Sequence, residues 1–275
     1  MTESQVEVKI TIDALNLSFG GVHVLSDIDL VIHNNELLAI IGPNGSGKTC
    51  LLNCISGFYK PQKGSIFYKQ KDLVKLPPYK IAGLGIGRTF QNLELFTGLS
   101  VVDNLRAARH MFLKSGLFSG ALYFGRGQRD EISQMKIVEE IIDFLEMEPI
   151  RSTVVGDLPY GLRKRVELGR ALALEPEILL VDEPMAGMNL EEKEDLTRFL
   201  LDIYEGTDFG YESEFLKKGV RSIILVEHDM GVVMDIADRI VVFDFGRVIA
   251  DDIPKSVKVN ERVINAYLGR TSSQR

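Results

Sequence analysis

Cysteine is nearly missing: Cys50 and Cys54, four positions apart, are the only two in 275 residues. They are too few for a disulfide framework, and a reducing compartment is the expectation. Neither a nearby His nor another Cys completes a metal site around them, so they read as small buried residues of one helix. A basic excess is also missing. The 32 Lys and Arg against 39 Asp and Glu leave a net charge of −7, so the chain as a whole lacks the footprint of a nucleic-acid partner. Long apolar runs are absent. The longest, such as Leu37–Ile41 and Ile178–Val181, fall far short of the roughly 18 residues that span a bilayer. The opening, MTESQVEVKITID, has neither the basic nor the apolar region of a secretory signal. Together these absences predict a soluble, cytoplasmic chain.

What is present is an ordinary globular balance, 45% hydrophobic and 26% charged, which excludes disordered, collagen-like and low-complexity classes. The length suits one large domain, or a domain with a subdomain. Val6, Val8, Ile10 and Ile12 alternate with polar residues, as do Ile28, Leu30 and Ile32 after the pair Gly20-Gly21. Both stretches predict strands with a turn between them. Leu37–Ile41 is continuously apolar, the pattern of a strand buried on both faces. It leads through glycines into a helical segment, Cys50–Ile55, giving a strand–loop–helix unit. Helical periodicity returns over 101–114, 131–147 and 163–175, with a glycine-rich stretch after the first. Ile178–Val181, Ile223–Val226 and Ile240–Phe243 read as further buried strands, the last two closing the sheet. The pattern predicts an α/β core interrupted by a helical insert at about 95–172. The polar segment 205–219 reads as a surface loop that Phe209, Tyr211 and Phe215 could pin.

Gly42-Pro43-Asn44-Gly45-Ser46-Gly47-Lys48-Thr49 fits Gly-x-x-x-x-Gly-Lys-Thr and stands after a buried strand and before a helix, where a phosphate loop must be. Its glycines let main-chain N–H groups curl around phosphates, and the helix start adds partial positive charge. Lys48 would reach the β and γ phosphates, and the Thr49 hydroxyl would ligate Mg²⁺. Asp182 and Glu183 follow at the carboxyl end of the strand Ile178–Val181, the end of an α/β sheet that faces the ligand crevice. Asp182 suits the Mg²⁺ shell; Glu183 suits orienting and deprotonating a water. No Asn in the chain is followed by Lys, so the Asn-Lys-x-Asp guanine reader of a GTPase is absent. A kinase would not benefit from a water-activating Glu, which leaves an ATPase.

With these motifs in order, the sequence resembles the ATP-binding-cassette ATPases. Thr89-Phe90-Gln91 is similar to the family's Q-loop, Leu158-Pro159-Tyr160-Gly161-Leu162 to its signature, Ala186-Gly187-Met188-Asn189 to its D-loop, and Val226-Glu227-His228 to its switch histidine. Phe19, in LSFGG, falls where an aromatic residue stacks on adenine. The resemblance implies a P-loop ATPase core at about 1–94 and 173–275, with an antiparallel β subdomain and the inserted helical subdomain. It implies Glu183, His228 and Gln91 as catalytic residues, with Thr49, Gln91 and Asp182 on the metal. Phe19, Gly42–Thr49, Tyr160 and Gly161 would bind ATP. Three departures stand out: Pro159 replaces the signature serine, so that hydroxyl role is not carried over, Leu162 replaces the signature's final glutamine, and Asn189 replaces the D-loop aspartate.

Finer resemblance is to importer ATPases for branched-chain amino acids. It rests on Gly57-Phe58-Tyr59-Lys60-Pro61, Gly87-Arg88-Thr89-Phe90-Gln91, LFSG in the insert, AGMN, EHDMGVVM, and Ala266-Tyr267-Leu268-Gly269. The resemblance implies a second cassette, identical or homologous, separate membrane permease subunits, and an extracytoplasmic solute-binding protein. The chain would then sit on the cytoplasmic face of the membrane. An importer of urea or short amides, a lipopolysaccharide-type exporter and a non-transport cassette ATPase are the alternatives.

Overall fold

The computed structural model describes residues 8–91, 93–112, 126–206 and 219–268. Val6, the LFSG motif, Gly269 and most of the 205–219 loop with its three aromatic residues lie outside them. The chain forms two compact units, one of Met1–Arg88, Leu180–Glu183 and Arg221–Arg275, the other of Thr89–Leu179 and Pro184–Val220.

The first unit begins with the two alternating segments as long strands, β1 (Val8–Phe19) and β2 (Val22–His33). They pair antiparallel around Gly20 and Gly21, both at positive φ. The hairpin of β4 (Lys63–Tyr68) and β5 (Lys71–Asp72) adds to β1 to give an antiparallel sheet ordered β2-β1-β4-β5. Sequence patterning missed this hairpin. Its two-residue loop, Lys69-Gln70, holds positive φ at both positions without glycine, so the usual sequence mark of that turn is absent.

The continuous apolar runs become the centre of a six-stranded sheet ordered β10-β9-β3-β8-β7-β6. β3 (Leu37–Ile41), β7 (Ile178–Asp182) and β8 (Ser222–Val226) are buried at every residue, as a sheet covered on both faces requires. β3 pairs parallel with both β8 and β9 (Arg239–Asp244). The sheet does not close on β9 as the sequence reading expected. A second tight turn, Phe245-Gly246 at φ 42° and 74°, sends the chain back as β10 (Arg247–Asp252), the edge strand. β6 (Ile86–Arg88) forms the opposite edge.

The helices of this unit are α1 (Lys48–Ile55), α2 (Pro78–Ala82), α7 (Met230–Ile236), α8 (Pro254–Lys258) and α9 (Glu261–Leu268). Val233, Val257 and Val263 from the last three pack with Ala39, Ile41, Ile240 and Val242 of the sheet, and Tyr267 joins that cluster.

The second unit is mostly helical: α3 (Val101–Arg109), α4 (Arg126–Phe144), α5 (Tyr160–Leu172) and α6 (Leu190–Glu205). Ser100 caps α3 through the Asp103 N–H. α4 runs from Arg126 to Phe144 rather than 131–147, and α5 starts at Tyr160 rather than 163. The latter shift follows from Pro159, whose φ of −54° suits the position just before a helix. The buried Arg109 donates to Gln134 of α4 and to the Ala173 carbonyl after α5, and pairs with Glu175.

Candidate functional site

β3 delivers the chain into Gly42–Thr49, and α1 begins at Lys48. Two glycines are demanded by geometry. Gly42 has φ 146°, and a Cβ there would collide with the Phe243 carbonyl; Gly47 has φ 107° and faces Leu25 Cδ2 and the Val24 carbonyl, both 2.8 Å from a Cβ. Any side chain would push the loop off β9 and β2. Lys48, 4% exposed, donates from Nζ to the Gly42 and Pro43 carbonyls at 2.8 and 3.1 Å. The Ser46 hydroxyl is buried and has no hydrogen-bond partner among the described residues. A buried orphan hydroxyl is costly unless something bonds to it, so the loop fits an anion that would accept from it.

At the end of β7, Asp182 is 1% exposed and accepts through Oδ1 from the Thr49 hydroxyl at 3.1 Å. Its Oδ2 takes Arg88 Nη2 at 3.1 Å. Burial pushes the Asp182 carboxyl above its ordinary range, and Arg88 and Thr49 pull it back. Burial likewise lowers the Arg88 guanidinium, with Asp182 opposing. Thr49 and Asp182 are hard oxygen donors of the kind Mg²⁺ takes.

Glu183 sits one step beyond the strand at φ 47°, a left-handed conformation that strains a non-glycine residue and is characteristic of functional sites. Its N–H is tied to the Val226 carbonyl at 2.9 Å, so the strand end holds it there. Its Oε1 lies 2.9 Å from His228 Nε2, 45 residues away. His228 is placed by its neighbour: Glu227, 4% exposed, accepts from the His228 N–H at 2.7 Å and the Asp229 N–H at 3.3 Å. Pattern reading missed Glu227 as the residue that shapes this turn. Phe19 is half-exposed at the end of β1, its ring edge-to-face with Tyr59 at 5.1 Å. Tyr267 was quoted only as part of an ending motif. Here it is half-buried on α9, its hydroxyl raised by burial and lowered by a hydrogen bond from the Gly42 main chain. On α1, burial pushes the Cys54 thiol up to about 12 and raises Cys50 as well, so both stay protonated at neutral pH.

The first unit thus brings together Gly42–Thr49, Asp182, Glu183 and His228, with Phe19 on the same unit. Gln91, Tyr160 and Gly161 belong to the second unit. There the Gln91 main chain is clamped by α5: Lys164 Nζ donates to the Gln91 and Phe90 carbonyls at 3.1 and 3.4 Å, and Glu167 accepts from the Phe90 N–H at 2.9 Å. Neither charged residue stood out in the sequence. At the start of α5, Pro159 offers no side-chain cap, and Arg163 instead donates to the Leu158 and Gly156 carbonyls. A Cβ on Gly161 would run into the Glu192 carboxylate. Asn189 forms a capping box with Glu192 at the start of α6, accepting from the Glu192 N–H at 2.9 Å. Asn serves that cap as well as Asp would, which gives the departure at this position a structural basis.

Comparison with known proteins shows the family and the fold. Residues 25–186, more than half of the chain, match the ABC transporter family. The chain is 37% identical over 263 residues to the high-affinity branched-chain amino acid transport ATP-binding protein LivG of Escherichia coli K12, covering 94% of this chain and 97% of that protein. It is 33% identical over 260 residues to BraF of Pseudomonas aeruginosa, described in the same words, with the same coverage. Among solved structures, the ADP conformation of an ATP-binding cassette of an ABC transporter superposes with a TM-score of 0.77 at 26% identity, covering 95% of this chain and 99% of that one. A nucleotide-free cassette from an ABC transporter gives 0.76 at 26%, covering 94% and 98%. The fold is the α/β P-loop cassette that the motif order implied, and the chain belongs to the ABC transporter family as one of its ATPase subunits.

Proposed function

We propose that this chain is the ATP-hydrolysing subunit that powers an importer for branched-chain or similar amino acids. The observation that carries the reading is the meeting, in one compact unit, of Lys48 and the loop glycines, the Thr49–Asp182 pair and the Glu183–His228 pair. The similarity to LivG and BraF over almost their whole length supplies the solute class.

On this reading the loop amides of Gly42–Thr49 and Lys48 hold the β and γ phosphates, and Phe19, braced edge-on by Tyr59, stacks on adenine. Thr49 and Asp182 would hold the Mg²⁺ that accompanies ATP, and a part for Gln91 in that shell rests on the family resemblance alone. That ion, when bound, would offset phosphate charge as the γ-phosphoryl group passes to water and ADP leaves. Glu183 orients the attacking water and accepts its proton, while the His228 imidazole contacts the γ-phosphate. The 2.9 Å contact between the two side chains keeps the base aimed from a backbone position that cannot relax. Tyr160 and Gly161 close over the γ-phosphate of a second cassette through main-chain N–H groups and the positive end of α5. Pro159 removes the serine hydroxyl from that contact, so the amides carry it.

No helix among the described residues is long and apolar enough to cross a membrane. In the proposed assembly, separate permease subunits carry the solute, and the chain works from the cytoplasmic face of the membrane beside a second cassette. An extracytoplasmic binding protein delivers the solute. The test is affinity purification of the tagged chain from solubilised membranes, followed by reconstitution of the recovered complex. Expected are a multi-span permease, a second cassette and ATP-driven uptake of labelled leucine in the presence of the binding protein. Uptake of urea but not leucine would replace the solute class. Recovery of the chain alone, hydrolysing ATP in the soluble fraction, would overturn the transport reading.

A further inference from the structure

Arg88 ends β6 with its side chain only 6% exposed, against an Asp182 side chain that is fully buried. Its fork is divided three ways. Nη2 meets Asp182 Oδ2 at 3.1 Å, while Nη1 donates to Asn53 Oδ1 at 2.8 Å and to Ser56 Oγ at 2.6 Å. The Phe58 ring lies 5.9 Å from the guanidinium. Asn53 and Ser56 are at the carboxyl end of α1, which has no basic residue in its own last turn, so the guanidinium also faces that helix's negative end. The amino end of the same helix carries Thr49, which donates to the other oxygen of Asp182 at 3.1 Å. One short helix therefore fixes both groups that hold the carboxylate, one oxygen each.

A buried ion pair by itself is weak evidence of any role, since an apolar pair of similar volume often stabilises a fold equally well. The distinguishing feature here is the assignment of oxygens. Arg88 on Oδ2 opposes rotation of the carboxylate, and Oδ1 lies beside the Thr49 hydroxyl. We propose that Arg88 is a positioning residue for metal-bound nucleotide: it locks Asp182 so that Oδ1 faces the metal shell next to Thr49. The inference deepens the site reading above and rests on Asp182 and Thr49 being the metal-side residues. A planar fork with several fixed donors performs this task; a point charge on a flexible stem does not.

The test compares Arg88→Lys, Arg88→Gln and Asn53→Ala with the parent. Binding of ATP without divalent metal is measured by displacement of a fluorescent nucleotide, and Mn²⁺ bound in the presence of ATP is counted by electron paramagnetic resonance. All three variants are expected to keep metal-free ATP affinity within about twofold. Loss of an orienting outer-shell partner typically costs about 10–100-fold in metal affinity, so half-saturating Mn²⁺ should rise at least tenfold in Arg88→Lys and Arg88→Gln. Asn53→Ala, which loosens the fork without touching its charge, should fall between them and the parent, and it serves if the Arg88 variants do not fold. In an Asp182→Asn background, Arg88→Lys should add no further shift.

Parent-like Mn²⁺ affinity in Arg88→Lys would mean that charge alone suffices and would overturn the proposal. Tighter Mn²⁺ binding in Arg88→Gln would overturn it too, since Arg88 would then merely repel the metal. Lys48→Ala and Asp182→Asn separate the two levels. If they leave nucleotide and metal binding at parent values, the reading of the site fails. If they abolish binding while the Arg88 variants match the parent, only the role of Arg88 falls.

Discussion

Replacing Lys164 with Met tests whether the clamp between α5 and the Gln91 segment is as costly to break as its burial implies. Lys164 and Glu167 have side chains only 2% and 6% exposed and face each other at 3.6 Å. Burial already pushes the Glu167 carboxyl above its ordinary range, with Lys164 the foremost opposing influence. Without Lys164, Glu167 either stays charged in an apolar place or takes up a proton. Protonation caps the penalty. From an ordinary pKa of 4.5, protonating at pH 7 costs at most about 3 kcal/mol at 1.36 kcal/mol per pH unit. At roughly 2–4 °C per kcal/mol for a chain of this size, the melting temperature should fall at pH 7 by an amount capped at about 6–12 °C.

The sign with pH follows from the raised carboxyl. An acid whose folded pKa lies above its unfolded one penalises folding once pH exceeds the unfolded value, and the penalty vanishes as pH falls toward it. At pH 5 the same cap is below about 1 kcal/mol, so the variant should melt within about 3 °C of the parent there. Adding Glu167→Gln removes the orphaned charge and should restore most of the loss at pH 7. Differential scanning fluorimetry from pH 5 to 8 is sufficient. A loss at pH 7 under 2 °C, a loss that grows toward acid, or a double variant weaker than the single would refute the reasoning.

Three further outcomes are expected. Glu183→Gln keeps an acceptor for His228 Nε2 but cannot take a proton, so ATP should bind normally while phosphate release falls about 10²–10⁴-fold; turnover within threefold of the parent would remove Glu183 as the base. Asn189→Ala breaks the capping box of α6 and should cost about 1 kcal/mol in urea unfolding, whereas Asn189→Asp should be neutral; equal losses would show that the capping oxygen is not what the position supplies. Pro159→Ser gives α5 the side-chain cap it lacks, and should raise stability by up to about 1 kcal/mol without lowering ATPase activity; a large drop in activity would show that the proline's backbone shape is required.

The sequence by itself determined those features whose pattern is written in consecutive residues. The phosphate loop was legible because strand, glycines and helix follow one another, and β3, β7 and β8 because strands buried on both faces must be continuously apolar. Asp182 and Glu183 were legible as the two residues that end such a strand. The short strands were not: β4, β5 and β10 are half-exposed and turn on Lys69-Gln70 and Phe245-Gly246, and α4 and α5 begin and end a few residues earlier than their periodicity predicted.

Tertiary structure alone decided what each charged side chain meets. Arg88 and Asp182 are 94 positions apart, Lys164 and Gln91 73, and Glu183 and His228 45. In sequence, Arg88, Lys164 and Glu167 look like any solvated charge, because residue type carries no record of burial. Only folding removes water from them, and only then must each find a fixed partner. That necessity converts scattered polar residues into a buried carboxylate paired with an arginine, a clamped Gln91 main chain and a glutamate held against a histidine.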